Sequence, residues 1–120
     1  MFKEILTSMV HETEGCIGAI LVGPDGIPVE QYARESEALH PDQVAGEMAG
    51  ALKEMKKAVG ILKIGELEEV SLTTEKRSIL IRTVDADHFI ALVFAEGGNL
   101  GKGRYVMSRD RIKILEELDT

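Results

Sequence analysis

Two runs of this chain are apolar at every position: Cys16-Ile17-Gly18-Ala19-Ile20-Leu21-Val22 and Phe89-Ile90-Ala91-Leu92-Val93-Phe94. A strand covered on both faces reads this way, so both runs belong in the middle of a sheet. The other strand candidates differ. Ile27-Pro28-Val29 carries a proline, which lacks the N–H that a central ladder needs, and this marks the stretch from Ile27 to about Ala33 as an edge. Leu67 to Thr74 alternates polar and apolar residues, as a strand with one wetter face does. Ser78 to Val84 supplies a fifth strand, set between turns at Glu75-Lys76-Arg77 and Asp85-Ala86-Asp87. Gly23-Pro24-Asp25-Gly26 is a turn in which proline presets φ and Gly26 can take a positive φ.

Helical spacing appears in three places. Phe2, Ile5, Leu6, Met9 and Val10 form the apolar stripe of a first helix that ends near Gly15. Pro41 suits the first turn of a second helix, which runs to about Leu62 with Val44, Met48, Leu52, Met55, Val59 and Leu62 as its stripe. Arg34 to His40, just before it, is polar and loop-like. A last helix runs from about Asn99 to Leu118, with Leu100, Met107, Ile114 and Leu118 on one face. The order is α-β-β-α-β-β-β-α, and connections this short make antiparallel neighbours. With both fully apolar strands central, the simplest five-stranded antiparallel sheet has the order 2-1-5-4-3. The second helix then covers one face, and the first and last helices cover the other. Residues 1–120 read as a single α+β domain, compact at both ends and without an extended tail.

Composition narrows the classes of function. The chain has 120 residues, 44% of them apolar, which argues for a folded core. Its net charge of −7 argues against nucleic acid and disfavours an anionic membrane surface. Aromatic residues are only 4%, with no Trp, so a base-stacking surface is not expected. The lone Cys16 excludes an internal disulfide framework and suggests a reducing compartment. Neither a signal-peptide core nor a run of membrane-spanning length is present, so no membrane insertion is expected and the cytoplasm is the default location.

The search for chemistry finds no convincing set. Gly97-Gly98-Asn99-Leu100-Gly101-Lys102-Gly103 follows a strand and opens a helix, as a phosphate loop does. A Walker A loop, however, needs four residues between its glycines and a hydroxyl residue after the lysine. The simpler reading is that these glycines end the strand and let the last helix start close to the sheet. His11, His40 and His88 lack metal-pair spacing and read as solvated. Cys16 in an apolar strand is a core thiol whose pKa is raised, the wrong direction for a nucleophile. Asp85 and Asp87 are ordinary turn residues. No catalytic residue, metal site or cofactor is expected.

Binding surfaces are better marked. The second helix carries Ala45, Gly46, Ala49, Gly50, Ala51 and Ala58. Each helical glycine costs roughly 1 kcal/mol relative to alanine. Gly46 and Gly50 lie four apart and so share a face. Either that face admits a partner's backbone, or the glycines lie over the chain's own sheet. Lys53, Lys56 and Lys57 add a basic cluster that either steers an acidic partner or is simply solvated. The Leu67 to Thr74 edge invites a partner strand, including that of a second copy. Glu66, Glu68 and Glu69 oppose that reading if they act as charges that block pairing.

The segments Gly18-Ala19-Ile20-Leu21-Val22-Gly23-Pro24-Asp25-Gly26, Leu72-Thr73-Thr74-Glu75 and Gly98-Asn99-Leu100-Gly101-Lys102-Gly103-Arg104-Tyr105 resemble the Roadblock/dynein light chain family, and its bacterial MglB-type branch in particular. The resemblance covers nearly the whole chain. It implies a profilin-like sandwich and a homodimer whose third strands pair into one sheet, with the second helices side by side. It also implies a non-enzymatic partner of a Ras-like small GTPase, which speeds GTP hydrolysis by reshaping the GTPase's own switch regions. Carried onto this sequence, the GTPase contact falls on Ala45, Met48, Ala49, Gly50 and Lys53. The dimer contact falls on Leu67, Glu69, Val70, Ser71, Leu72 and Gly46. A scaffold that binds a GTPase or motor complex without altering hydrolysis is the alternative, and a small-ligand sensor is a third.

Overall fold

The computed structural model describes residues 1–34 and 39–120. The core of the loop expected between Arg34 and His40 lies outside them. Helix α1 spans Phe2–Glu12, α2 Pro41–Leu62 and α3 Leu100–Leu118. The strands are β1 (Cys16–Val22), β2 (Pro28–Ala33), β3 (Glu69–Thr73), β4 (Arg77–Thr83) and β5 (Phe89–Ala95), with a 3-10 turn at Pro24–Gly26. All neighbours are antiparallel and the sheet order is β2-β1-β5-β4-β3, as the patterning predicts. The two uniformly apolar strands are central for the expected reason. Every residue of β1 is buried, and so is every residue of β5 except Ala95. Pro28 opens the β2 edge, opposite Val22 at a break in register between Leu21 and Val22.

The sheet separates two apolar layers. On one face, Leu6, Met9 and Val10 of α1 and Val106, Met107 and Ile114 of α3 pack with Leu21, Leu80, Leu92 and Phe94. On the other, Ala45 and Leu52 of α2 pack with Ile20, Val22, Ile81, Phe89 and Ala91. The start of α3 shows why its glycines are there. A Cβ at Gly98 would come within 2.6 Å of Phe94 Cδ2, and one at Gly103 within 2.7 Å of Phe94 Cζ. Asn99 caps the helix by accepting the Lys102 N–H at 3.0 Å. The phosphate-loop likeness thus has a packing cause.

Two expectations need correction. The apolar stripe of α2 does not stay covered to Leu62: its only fully buried residues are Ala45 and Leu52, and Met55 and Leu62 are exposed. Among the stripe residues of the later turns only Val59 is half-buried. Two of the histidines are also not simply solvated. His11 Nε2 lies 2.9 Å from the Tyr32 hydroxyl, and His88 Nδ1 lies 2.9 Å from Asp85 Oδ1. Burial works against the Asp85 anion, but hydrogen bonds from His88 and the Asp87 N–H outweigh it and hold the carboxyl below its usual range.

Candidate interaction site

Helix α2 starts at Pro41, whose missing N–H costs nothing in a first turn. It ends where Lys63 takes a left-handed conformation at φ 55°. Between these points it lies on the sheet like a beam, with a groove along each flank. Its 3.6-residue period decides which side chains enter which groove.

The first groove, about 550 Å³, runs between α2 and the turns that follow β1 and β4. Gly46, Ala49, Gly50 and Lys53 line its helical wall, and Pro24, Asp25, Gly26, Ala86 and Asp87 face them. Here Gly26, at φ 73°, comes so close to the helix that a Cβ on it would sit 2.9 Å from Ala49 Cβ. Gly46 and Gly50 themselves have open space where a side chain would be. The second groove, about 130 Å³, runs between α2 and the β3 edge and is almost wholly apolar, lined by Met48, Ala51, Leu52, Met55, Val70, Ser71, Leu72 and Ile81. β3 is hydrogen-bonded to β4 alone, so its outer edge is free within the described chain. Leu72 there is 44% exposed.

This geometry redistributes the residues singled out in the sequence. Ala49, Gly50 and Lys53 stay together on the first groove, and Gly46, expected at the dimer contact, joins them. Met48, expected with the GTPase contact, belongs instead with Val70, Ser71 and Leu72 on the second. Ala45 is fully buried beneath the helix against the chain's own sheet, so it offers no surface in this chain. Leu67 packs half-buried against the α2 layer. Glu69 projects to the opposite face of the sheet, where Arg104 Nε donates to its Oε2 at 2.9 Å. Sequence reasoning missed Met55 and Ala51 as lining of the β3-side groove. The missed signal was that both share the Met48 side of the helix, whereas the glycines lie on the other.

Of the three lysines, Lys57 pairs with Glu54 at 3.7 Å and Lys56 Nζ donates to the Ala86 carbonyl at 3.3 Å. Lys53 is left on the open wall of the first groove. Elsewhere, burial pushes the Cys16 thiol up to about 11, in keeping with a core role. Hydrogen bonds from Arg109 and Ser8 lower the Glu12 carboxyl to about 2, where Arg109 of α3, held in place by the adjacent Asp110, joins the two helices through Glu12 of α1. Among the described residues no cluster of His, Cys, Asp or Glu could hold a metal, and no helix is long and apolar enough to cross a membrane.

Known proteins share this architecture. MglC from Myxococcus xanthus is 34% identical, with 95% of this chain and 96% of that one covered and a TM-score of 0.68. Myxococcus xanthus MglB aligns over 98% of this chain and 97% of that one with a TM-score of 0.82 at 14% identity, and Acanthamoeba castellanii profilin II over 98% of each with a TM-score of 0.62 at 13%. At such identities the likeness shows the fold alone, which is therefore profilin-like. No curated protein matches the chain by sequence. The family model of the Roadblock/LC7 domain matches residues 2–94, and with the 34% identity to MglC this places the chain in the Roadblock/LC7 family.

Proposed function

We propose that this chain pairs with a second copy of itself through β3 and α2, and that the pair regulates a Ras-like small GTPase in the cytoplasm. The observation that carries this reading is the apolar groove between α2 and the free β3 edge. Its side chains are half covered by the chain itself, and an edge strand with free N–H and C=O groups lies beside them. A two-fold copy would satisfy both at once: strand would add to strand, and Met48, Met55 and Leu72 would lose water together. Pairing leaves the groove at Gly46, Ala49, Gly50 and Lys53 on the accessible side of α2 for the GTPase. The chain needs no catalytic group for this role. A partner that holds the GTPase's own residues in their hydrolytic arrangement acts by positioning alone.

A scaffold that binds the GTPase without altering hydrolysis is the second reading. Two separate Roadblock chains of one organism, Myxococcus xanthus MglC and MglB, share 34% and 14% identity with this chain. The likeness is thus greater to MglC than to MglB of the same organism. The two roles separate in one experiment with the Ras-like GTPase encoded nearest this gene. An activator raises the rate of phosphate release in single turnover. A scaffold forms a complex of similar affinity in both nucleotide states without changing that rate. Absence of both complex and rate change would overturn the GTPase reading. In the same assay Gly50→Arg should abolish complex formation with the fold intact, because it sets bulk and charge on the groove wall at a point where the helix faces open space. Unchanged affinity would move the GTPase off this groove.

A further inference from the structure

Across the sheet from α2, a charge imbalance marks another surface. In β4, Leu80 packs toward α1 and α3, whereas Ile79 and Ile81 pack toward α2. Strand alternation therefore puts Arg82 on the α3 side. Glu69 stands directly opposite Arg82 in the β3–β4 ladder and shares that face. The register offers this carboxylate to Arg82, but Arg104 of α3 takes it at 2.9 Å. Arg82 Nε is left buried without a hydrogen-bond partner. Two turns further along α3, Arg111 donates from Nε to the Thr83 carbonyl at 3.2 Å and from Nη2 to the Val84 carbonyl at 2.6 Å. Its partners are neutral. Among the described residues neither Arg82 nor Arg111 has an ion-pair partner. Across the β3–β4 ladder Arg82 and Arg104 share one carboxylate, so one of these two guanidiniums stays unpaired, on a chain whose net charge is −7.

We propose that the surface built by Arg82, Arg104 and Arg111, where α3 crosses β3 and β4, docks an Asp/Glu-rich peptide segment of a partner protein. Guanidinium forks match carboxylates in pairs. A second carboxylate would meet the charge that Arg104 leaves unanswered when it holds Glu69. Because the rest of the protein is acidic, an acidic segment is repelled elsewhere and focused here. Arg82 and Arg104 lie on the opposite face of the sheet from α2, so an occupant held by them leaves the Gly46–Lys53 groove open. The chain can then hold two partners at once. This holds whether or not the GTPase reading does, and its test is separate.

The probe is a fluorescein-labelled oligoglutamate peptide, followed by anisotropy against the full chain, with labelled oligoglutamine as control. The chain should bind oligoglutamate and not oligoglutamine, and added salt should weaken the binding. Arg82→Gln should lower affinity about tenfold, the worth of a charged hydrogen bond. Its melting temperature should not fall, since the Nε has no partner to lose. Arg82→Glu should abolish binding. Lys53→Gln should leave it unchanged. No binding, equal binding of oligoglutamine, full affinity in both Arg82 variants, or a loss confined to the Lys53 variant would each overturn the assignment.

Discussion

The two faces of the sheet are covered very differently. The α1/α3 face is closed: Leu6, Met9, Val10, Val106, Met107 and Ile114 are all buried, and Arg109 of α3, held in place by the adjacent Asp110, ties the two helices together through Glu12 of α1. The α2 face is covered by one helix that buries only Ala45 and Leu52 and leaves Met55, Ile61 and Leu62 in water. A sheet face roofed by two helices completes its own core. One roofed by a single helix leaves apolar flanks that only another molecule can cover. The closed face supplies stability, and the open face carries the surfaces proposed for partners.

The largest test of that division is Ile114→Ala. It should lower unfolding free energy by about 2–5 kcal/mol in urea titrations, because a fully buried side chain leaves a cavity that the closed layer cannot refill. On the open face, Leu72→Asp should cost the isolated chain no more than about 1 kcal/mol, because the residue is already in water. Light scattering should nonetheless report a single chain for this variant and, if the proposed pairing holds, two chains for the natural sequence. Equal destabilisation by the two substitutions would erase the contrast between the faces, and a Leu72→Asp dimer would remove the β3 edge from the interface.

A smaller effect concerns the latch on the closed face. Hydrogen bonds from Arg109 and Ser8 hold the Glu12 pKa at about 2, below its ordinary 4.5. A carboxyl with a depressed folded pKa adds stability that is complete above the unfolded value and fades as pH falls toward the folded one. The natural chain should therefore lose this contribution between pH 4.5 and about 2. Glu12→Gln should flatten that part of the acid-unfolding curve without moving the response of α2 partners. An unchanged acid profile would show that the latch contributes no pH-dependent stability.

The elements and their order were legible because burial writes itself into residue type. Strands wet on neither face admit only apolar residues, so Cys16–Val22 and Phe89–Phe94 declared themselves central, and Pro28 declared an edge. The glycines near Phe94 were legible as close-packing positions for the same local reason. The site was legible only in part. Small residues on α2 signal close approach, but not whether the approaching backbone belongs to the chain or to a partner. Ala45 turned inward to the sheet, while Gly46 and Gly50 turned out to open space. Likewise Glu69 read as part of the β3 edge, either in the dimer contact or as a charge against pairing, although its partner Arg104 lies 35 residues away on α3.

By itself, then, the sequence determined the helices, the strands and the sheet order, which follow from periodicities and turn chemistry within short windows, and the family, which follows from the resemblance of three segments. Only the tertiary structure decided which side of α2 meets β3, which side meets the turns after β1 and β4, and which arginines share a single carboxylate. Those outcomes depend on the rotation of one helix about its axis and on contacts between residues far apart in the chain. No local pattern of apolar and polar positions encodes either.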